Sequence, residues 1–353
     1  MNKTILANFG LSLLTLVILA GISEWAFRYL LFGESEAFSR YRDPSLYASW
    51  FSDDDYWKLE HRLRKKYRPP KHPDPLLGWV GSFSRKDYIH ENVKEIGNRR
   101  PVLLYGDSFA QCVGDVTCFQ DILNSDEEFT GQHYFLNYGV GGYGVDQIYL
   151  LFKNSIDHFA KPFVIFSLLT VDLDRSILSV RTGQKPYFLL EDGALRLAGV
   201  PINPNPEEYF SLNPPDITSY LYRLLAYNTH LPRGLSRFLT GEEGKTRRKT
   251  AINEKIILEA ERELKARHID HVFLIFHPPT SLKGVDWREP FLKRLFEEND
   301  ISYISSIDLI KKDITKTGLP PEEYFQAGNN HPTSRYNSLV AQAMKKYVLT
   351  RSP

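Results

Sequence analysis

The chain has 353 residues and a net charge of +1, from 44 basic and 43 acidic side chains. Hydrophobic residues make up 42% and charged residues 25%, which is the composition of an ordinary folded protein and excludes disorder or a multi-span membrane protein for the bulk of the chain. The balanced charge gives no electrostatic basis for nucleic-acid binding, so no nucleic-acid partner is predicted.

The N-terminus is strongly apolar, with no charge in residues 5–22 and Lys3 just before them. Eighteen helical residues span about 27 Å, close to the hydrocarbon thickness of a bilayer. Residues 1–32 are therefore predicted to be a single-pass anchor in the cytoplasmic membrane, crossing through residues 5–22. A cleaved signal peptide and a buried core helix are the alternatives. Lys3 favours a cytoplasmic N-terminus and a periplasmic or extracytoplasmic globular part.

Residues 33–98 follow as a predicted linker and covering region, and residues 99–353 as an α/β domain. In that domain short apolar runs alternate with apolar stripes at helical spacing. The candidate strands are Val102–Tyr105, Tyr134–Leu136, Phe163–Phe166, Val272–Phe276 and Ile301–Ile304. This alternation predicts a three-layer, flavodoxin-like parallel sheet with helices on both faces.

Residues 176–250 interrupt the alternation and are predicted to be an insertion. Within it, Asp192-Gly193 between two apolar runs predicts a β-hairpin. Long insertions between α/β elements often cover an active site, so this segment is a candidate lid.

The chain has two cysteines, Cys112 and Cys118, six positions apart. A local disulfide in an oxidising compartment and two free thiols both remain open. There is no CxxC pair and no cluster of histidines and carboxylates at metal-ligand spacing, so neither a metal nor a cofactor is predicted.

Three polar segments follow predicted strands or precede a helix. Gly106-Asp107-Ser108 follows the first strand, where open α/β sheets place their sites, although such residues also cap helices. The second strand leads into the glycine-rich segment 137–144, whose backbone can approach a ligand closely. Asn329-Asn330-His331-Pro332 precedes the last helix, and a histidine there can act as general base for a serine.

Together these segments resemble the conserved blocks of the SGNH/GDSL hydrolases. The resemblance covers roughly residues 100–175 and 270–345. Gly106-Asp107-Ser108-Phe109 resembles the first block, Asn137-x-Gly139-x-x-Gly142 the second, and Asn329-x-His331-Pro332 the last.

The resemblance implies roles for particular residues. Ser108 would be the nucleophile and His331 its general base. The backbone N–H groups of Ser108 and Gly142 would form the oxyanion hole. The implied reaction is hydrolysis of an ester through an acyl-enzyme intermediate.

The chain departs from the family pattern at two positions. Val171 stands where the third block usually has an asparagine that donates to the oxyanion, and losing one such donor costs on the order of 100- to 1000-fold in rate. Thr170 is a predicted substitute donor, and the alternative is that the backbone N–H groups of Ser108 and Gly142 suffice. Asn329 stands near the position of the usual triad aspartate, and it is predicted to orient the imidazole. Asp172, Asp174 and Asp308 are candidate acids elsewhere in the chain.

Five residues near these segments are predicted to bind substrate: Asp107, Tyr143, Asp172, Arg175 and His277. For Arg175 the alternative is a structural ion pair. For Tyr143 and His277 the alternative is packing within the core.

The sequence thus predicts a serine-dependent esterase, with the O-acetyl groups of an envelope or exported glycan as a candidate substrate. One alternative is an O-acyltransferase that acts on polysaccharide. Another is a non-catalytic, degenerate member of the family that binds a glycan or assists assembly. The sequence predicts no particular protein partner.

Overall fold

The computed structural model describes residues 3–64, 72–81, 95–228, 241–284 and 286–351. By internal contacts the chain divides into two compact units. One unit comprises Met1–Pro69 with Asn205–Lys245, and the other comprises Pro70–Pro204 with Thr246–Pro353. Part of the predicted insertion therefore groups with the N-terminal segment. The domain boundaries at residues 32 and 98 stay a prediction.

The helices are numbered in chain order. They are α1 Lys3–Phe32, α2 Asp54–Arg64, α3 Ser108–Gln111, α4 Phe119–Asn124, α5 Glu127–Thr130, α6 Val145–Ser155, α7 Asp172–Arg175, α8 Pro206–Leu212, α9 Tyr220–Asn228, α10 Glu242–Ala266, α11 Arg288–Glu298, α12 Ser306–Thr317 and α13 Ser334–Arg351. Short 3₁₀ turns cover Glu36–Arg42, Pro44–Leu46, Ile156–His158, Pro279–Leu282 and Pro321–Tyr324.

The strands are numbered in the same way. They are β1 Pro73–Asp74, β2 Gly78–Trp79, β3 Arg100–Gly106, β4 His133–Gly139, β5 Phe163–Leu169, β6 Val180–Arg181, β7 Gly183–Gln184, β8 Tyr187–Glu191, β9 Ala194–Ala198, β10 Asp270–Phe276 and β11 Tyr303–Ser305.

The central sheet has five parallel strands in the order β11-β10-β5-β3-β4. Numbered among themselves in chain order, these strands stand as 2-1-3-4-5, which is the flavodoxin-like order. The predicted fold class is thereby confirmed. The strands are almost wholly apolar because both faces of the sheet are covered.

Two separate apolar cores lie on the two faces of this sheet. Leu103 and Tyr105 point to one face and pack with residues of α6, α10 and α11. Val102 and Leu104, at the alternating positions of the same strand, point to the other face and pack with residues of α4, α12 and α13. This gives the three layers that the alternation predicts.

The predicted insertion contains two antiparallel hairpins. One pairs β8 with β9 across Asp192-Gly193, and both turn residues have positive φ angles, of 49° and 75°. The predicted hairpin is therefore confirmed. The other pairs β6 with β7 and lies next to the glycine-rich segment described below.

The N-terminal helix α1 is long and apolar enough to cross a membrane. Its segment Asn8–Phe32 has a mean hydropathy of 1.7 and is 0% buried in the most apolar window. That exposure argues against a core helix and leaves the anchor and the signal sequence as interpretations.

Candidate active site

The candidate site lies at the carboxyl edge of the sheet, between β3 and β5. These two strands are neighbours in space, although β4 follows β3 along the chain. The loops after β3 and β5 therefore diverge to opposite faces and open a crevice, which is where such sheets bind ligands. Ser108 follows β3 at this crevice, and Asp172 follows β5.

Ser108 is held by a tight turn from β3 into α3. A side chain at Gly106 would collide with Ser167 Oγ and with the Cβ of Ala110, so the turn requires glycine there. Asp107 caps the helix by accepting the backbone N–H of Phe109 at 2.9 Å. Ser108 Oγ donates to Asp107 Oδ2 at 3.3 Å, and the serine is 9% exposed.

Beneath the serine lies a buried cluster of two carboxylates and an arginine. Arg175 Nη1 donates to Asp107 Oδ2 at 3.2 Å, to Asp172 Oδ1 at 2.6 Å and to the carbonyl of Tyr143 at 3.1 Å. Burial raises the pKa of Asp172 well above its usual range, the charge of Asp107 raises it further, and Arg175 opposes both effects. The cluster therefore fixes the loops after β3 and β5 to each other.

His331 lies beside this turn. Its ring centroid is 5.6 Å from the ring of Phe109, the residue after Ser108. Burial lowers the pKa of His331 below its usual value of 6.5, the charge of Asp107 opposes this, and Arg175 adds to it. The imidazole is therefore neutral at pH 7, which is the form that a general base requires.

The imidazole lacks the partners of a complete triad. Its Nδ1 atom is buried and has no hydrogen-bond partner in the described ranges. Asn329 Oδ1 accepts the backbone N–H of His331 at 2.9 Å, and Asn329 Nδ2 donates to Gln326 at 3.1 Å. Asn329 thus holds the loop and makes no described contact with the ring. Ser108 and His331 are not hydrogen-bonded among the described contacts; such bonds are often long in unliganded sites.

In the glycine-rich segment, Gly142 and Gly144 have backbone N–H groups without an acceptor among the described hydrogen bonds. The N–H groups of Gly139, Val140 and Gly141 donate to acceptors in the fold, at 2.8 to 3.0 Å. Gly142 has no acceptor for its N–H among the described residues. The segment borders the serine, because a Cβ built on Gly141 lies 3.9 Å from Ser108 Cβ. The role of Gly142 in an oxyanion hole stays a prediction.

The structure places the other predicted donor differently. The backbone N–H of Thr170 donates to the carbonyl of Phe276 at 3.1 Å, and Thr170 is 2% exposed. Its backbone N–H is therefore already hydrogen-bonded within the fold. Val171 packs against the apolar core on the α13 side of the sheet. The role of Thr170 in an oxyanion hole stays a prediction.

The five predicted substrate-binding residues are all buried: Asp107, Tyr143, Asp172 and His277 are 0% exposed, and Arg175 is 5% exposed. Tyr143 donates its hydroxyl to the carbonyl of Trp79 and packs edge-on against that indole, with centroids 5.7 Å apart. His277 Nδ1 lies 3.0 Å from Ser306 Oγ. These contacts favour the packing alternative for Tyr143 and His277 and the ion-pair alternative for Arg175.

Two residues at the site were missed in the sequence. Trp79, from the region predicted to be a linker, donates its indole N–H to the carbonyl of Gly141 at 3.1 Å. Arg181, from the insertion, packs against Gly142. Neither lies in a motif, so only the folded chain brings them to the glycine-rich segment.

Cys112 and Cys118 form a disulfide, with Cα atoms 5.6 Å apart. It closes the loop between α3 and α4. Of the two alternatives, a disulfide or two free thiols, the structure has the disulfide.

No protein-family model and no curated relative matches this chain. Solved structures do resemble it. A lipolytic G-D-S-L family protein of Veillonella parvula is 15% identical over 72% of this chain and 100% of its own, with a TM-score of 0.38. A putative acylhydrolase of Bacteroides fragilis is 11% identical over 76% of this chain and 96% of its own, with a TM-score of 0.39. The psychrotrophic esterase EstA of a Pseudoalteromonas species is 11% identical over 71% of this chain and 97% of its own, with a TM-score of 0.36. At such values the likeness transfers no activity, so function is proposed from the residues of this chain.

Proposed function

We propose that this protein is a serine-dependent esterase. The observation that supports this best is the arrangement of three groups at the β3/β5 crevice. Ser108 stands at the carboxyl end of β3, the open N–H of Gly142 belongs to the segment that borders it, and the neutral imidazole of His331 lies against the next residue.

The proposed reaction has two halves. His331 takes the proton of Ser108 Oγ, and the oxygen attacks the ester carbonyl carbon. The resulting oxyanion accepts hydrogen bonds from the backbone N–H groups of Ser108 and Gly142. Collapse breaks the ester C–O bond, the alcohol leaves with the proton from His331, and the acyl group stays on Ser108. Water then attacks the acyl-enzyme with His331 as base, which releases the acid and restores the serine.

For the substrate we propose an O-acetyl ester of an envelope or exported glycan. The apolar helix α1 would keep the enzyme at a membrane, and the disulfide fits an oxidising compartment outside the cytoplasm. In that location acetylated glycans are accessible esters. An O-acyltransferase would use the same acyl-enzyme and differ only in passing the acyl group to a glycan hydroxyl.

One observation favours a non-catalytic glycan-binding or assembly protein as the second candidate. No carboxylate in the described part of the chain bonds to the imidazole of His331, and Ser108 Oγ donates to Asp107. An imidazolium formed during the reaction would then have no direct counter-charge.

A fluorophosphonate probe separates the two candidates. The purified full chain should be labelled at Ser108, the Ser108→Ala variant should not, and His331→Asn should be labelled much more slowly. Ser125, a solvent-exposed serine outside the site, provides the control Ser125→Ala, which should label like the wild type. A wild-type chain that takes no label between pH 5 and 9 contradicts the esterase proposal.

The esterase and the transferase are separated by the fate of the acyl group. With p-nitrophenyl acetate as donor, an esterase releases acetate at the same rate with or without an added oligosaccharide. A transferase instead yields acetylated oligosaccharide at the expense of free acetate, as measured by mass spectrometry.

A further inference from the structure

The oxyanion hole proposed above has two backbone donors, from Ser108 and Gly142. In the family pattern a third donor comes from an asparagine after the third strand, and here Val171 occupies that position with a side chain that cannot donate. The neighbouring Thr170 has its backbone N–H committed to Phe276. Two backbone donors stabilise an oxyanion less than three donors do.

Arg181 lies next to Gly142. A Cβ built on Gly142 comes within 3.3 Å of Arg181 Nε and within 3.5 Å of Trp79 Cζ2. The guanidinium therefore lies next to the α-carbon of Gly142, whose N–H has no acceptor among the described residues. The guanidinium and the backbone of Gly142 are therefore neighbours, and an oxygen that accepts from Gly142 would feel the charge of this guanidinium.

The fold holds Arg181 firmly in this place. It belongs to β6, which pairs with β7 across Thr182, a turn residue with a φ of 62°. Just beyond β7, Lys185 is 0% exposed and its ammonium bonds to Asp146 and to the carbonyls of Leu178 and Pro186. The hairpin is thus anchored by a buried ion pair in the loop that follows it.

Arg181 belongs to the same buried group of charges as Arg175, Asp172 and Asp107. Arg181 is 8% exposed, and its pKa is lowered first by burial and then by the charge of Arg175, while Asp172 and Asp107 oppose the shift. An arginine stays protonated in proteins in spite of such shifts. A buried cation in a low-dielectric site interacts strongly with a negative charge that develops next to it.

We propose that Arg181 is a catalytic residue that donates to the oxyanion of the acyl-transfer step, in the place left by Val171. This rests on the proposed esterase function. The guanidinium carries its charge before the reaction starts, so it needs no reorganisation when the carbonyl oxygen becomes negative. It contributes to the transition state more than to binding of the neutral ester.

The test compares substitutions of Arg181 with one of Arg196, an exposed arginine on β9 that pairs with Glu191 at 2.5 Å. With p-nitrophenyl acetate as probe, we expect Arg181→Gln to lower kcat about 100-fold with KM changed less than about threefold. Arg181→Lys should lose less, because it keeps the charge without the planar fork. Arg196→Gln should match the wild type.

Chemical rescue distinguishes catalysis from a structural role. In Arg181→Ala, added guanidinium chloride at low millimolar concentration should raise kcat about tenfold, whereas sodium chloride at the same ionic strength should not. If kcat falls together with the melting temperature and guanidinium restores nothing, Arg181 is structural and the inference is overturned.

The outcomes separate this inference from the proposed function. An inactive, unlabelled wild type contradicts the esterase itself. An active wild type whose Arg181→Gln variant keeps kcat within about threefold contradicts only the role of Arg181.

Discussion

At the scale of single residues, the site is built from groups whose environment differs from that of ordinary surface side chains. Asp107 is fully buried and caps the turn that presents Ser108. It also accepts a hydrogen bond from Arg175. The same carboxylate acts electrostatically on His331. One buried aspartate thus interacts with both Ser108 and His331 without bonding to the imidazole.

The first prediction concerns the pH dependence of the reaction. His331 must be neutral to take the serine proton, and its pKa lies below 6.5 because burial and Arg175 outweigh the charge of Asp107. Hence kcat/KM should rise as pH increases through an apparent pKa below 6.5 and should be flat by about pH 7. Initial rates with p-nitrophenyl acetate from pH 4.5 to 8 measure this, with intrinsic fluorescence as a check of folding at each pH. An apparent pKa of 7 or above would contradict it.

The second prediction uses two glycines that both have a positive φ angle. Gly142 has a φ of +86°, and a Cβ there would meet Arg181 and Trp79, whereas Gly193 has a φ of +75° and open space around it. Placing alanine at either position costs about 1 to 2 kcal/mol of stability for the left-handed backbone. Only Gly142→Ala also displaces the guanidinium of Arg181 and the N–H of residue 142.

We therefore expect Gly142→Ala to lose at least as much stability as Gly193→Ala in urea unfolding, and the two variants to differ in activity. Gly142→Ala should lose at least about tenfold in kcat, and Gly193→Ala should keep the wild-type value. Equal activities would show that Gly142 is needed for the backbone alone.

At the scale of elements, the layer behind the site is joined by a buried polar contact among three of them. His277 follows β10, Ser306 begins α12 and Tyr336 lies in α13. Tyr336 donates to Ser306 Oγ at 2.8 Å, and His277 Nδ1 lies 3.0 Å from the same oxygen. This accounts for the position of His277 in the core better than contact with a substrate does.

The third prediction follows from the burial of His277, which lowers its pKa to about 4 from 6.5. Between these values the unfolded chain binds the proton and the folded chain does not, so stability increases with pH in this window. The stabilisation is present in full above pH 6.5 and is lost as pH falls toward 4, by roughly 3 kcal/mol.

Urea unfolding at pH 7.5 and 5 measures this loss. His277→Asn can keep a polar contact with Ser306 but cannot titrate. It should be less stable than the wild type at pH 7.5 and should lose less stability on acidification. An unchanged pH dependence in this variant would rule out His277 as the source.

At the scale of the whole molecule, periodicity and motif order predicted the sheet, because buried parallel strands are short apolar runs and their carboxyl ends carry polar residues. Ser108, Gly142 and His331 were predicted as site residues from their motifs and from the family resemblance. Trp79 and Arg181 were not, since they reach the site through tertiary packing from segments without a motif. The burial of Tyr143 and Asp172 was also beyond the sequence, because loop residues become buried only where other loops cover them.

The last prediction concerns how α1 is used. Its segment Asn8–Phe32 can cross a membrane, yet its C-terminal part also belongs to a folded unit. Glu24 accepts the backbone N–H groups of Tyr220 and Leu221 at the start of α9, and Arg28 donates to the carbonyl of Ile217 at 3.0 Å. Cleavage after the apolar stretch would cut the helix close to these contacts, so an uncleaved anchor fits the contacts better than a removed signal.

We therefore expect the mature protein to keep residues 1–22 and to stay in the membrane fraction after carbonate washing, with release by detergent. Intact-mass measurement of the purified protein decides between the interpretations, since loss of the first 20 or so residues changes the mass by about 2 kDa at roughly 110 Da per residue.

Two variants test the membrane role of α1 directly. Leu14→Arg should release the chain from membranes, because a central arginine costs about 2.5 to 3.5 kcal/mol in a spanning helix. Leu212→Arg changes an exposed leucine outside α1 and should leave the membrane fraction unaltered. A mature chain that begins near Glu24 would instead identify α1 as a signal sequence, and its enzyme would then act as a released protein.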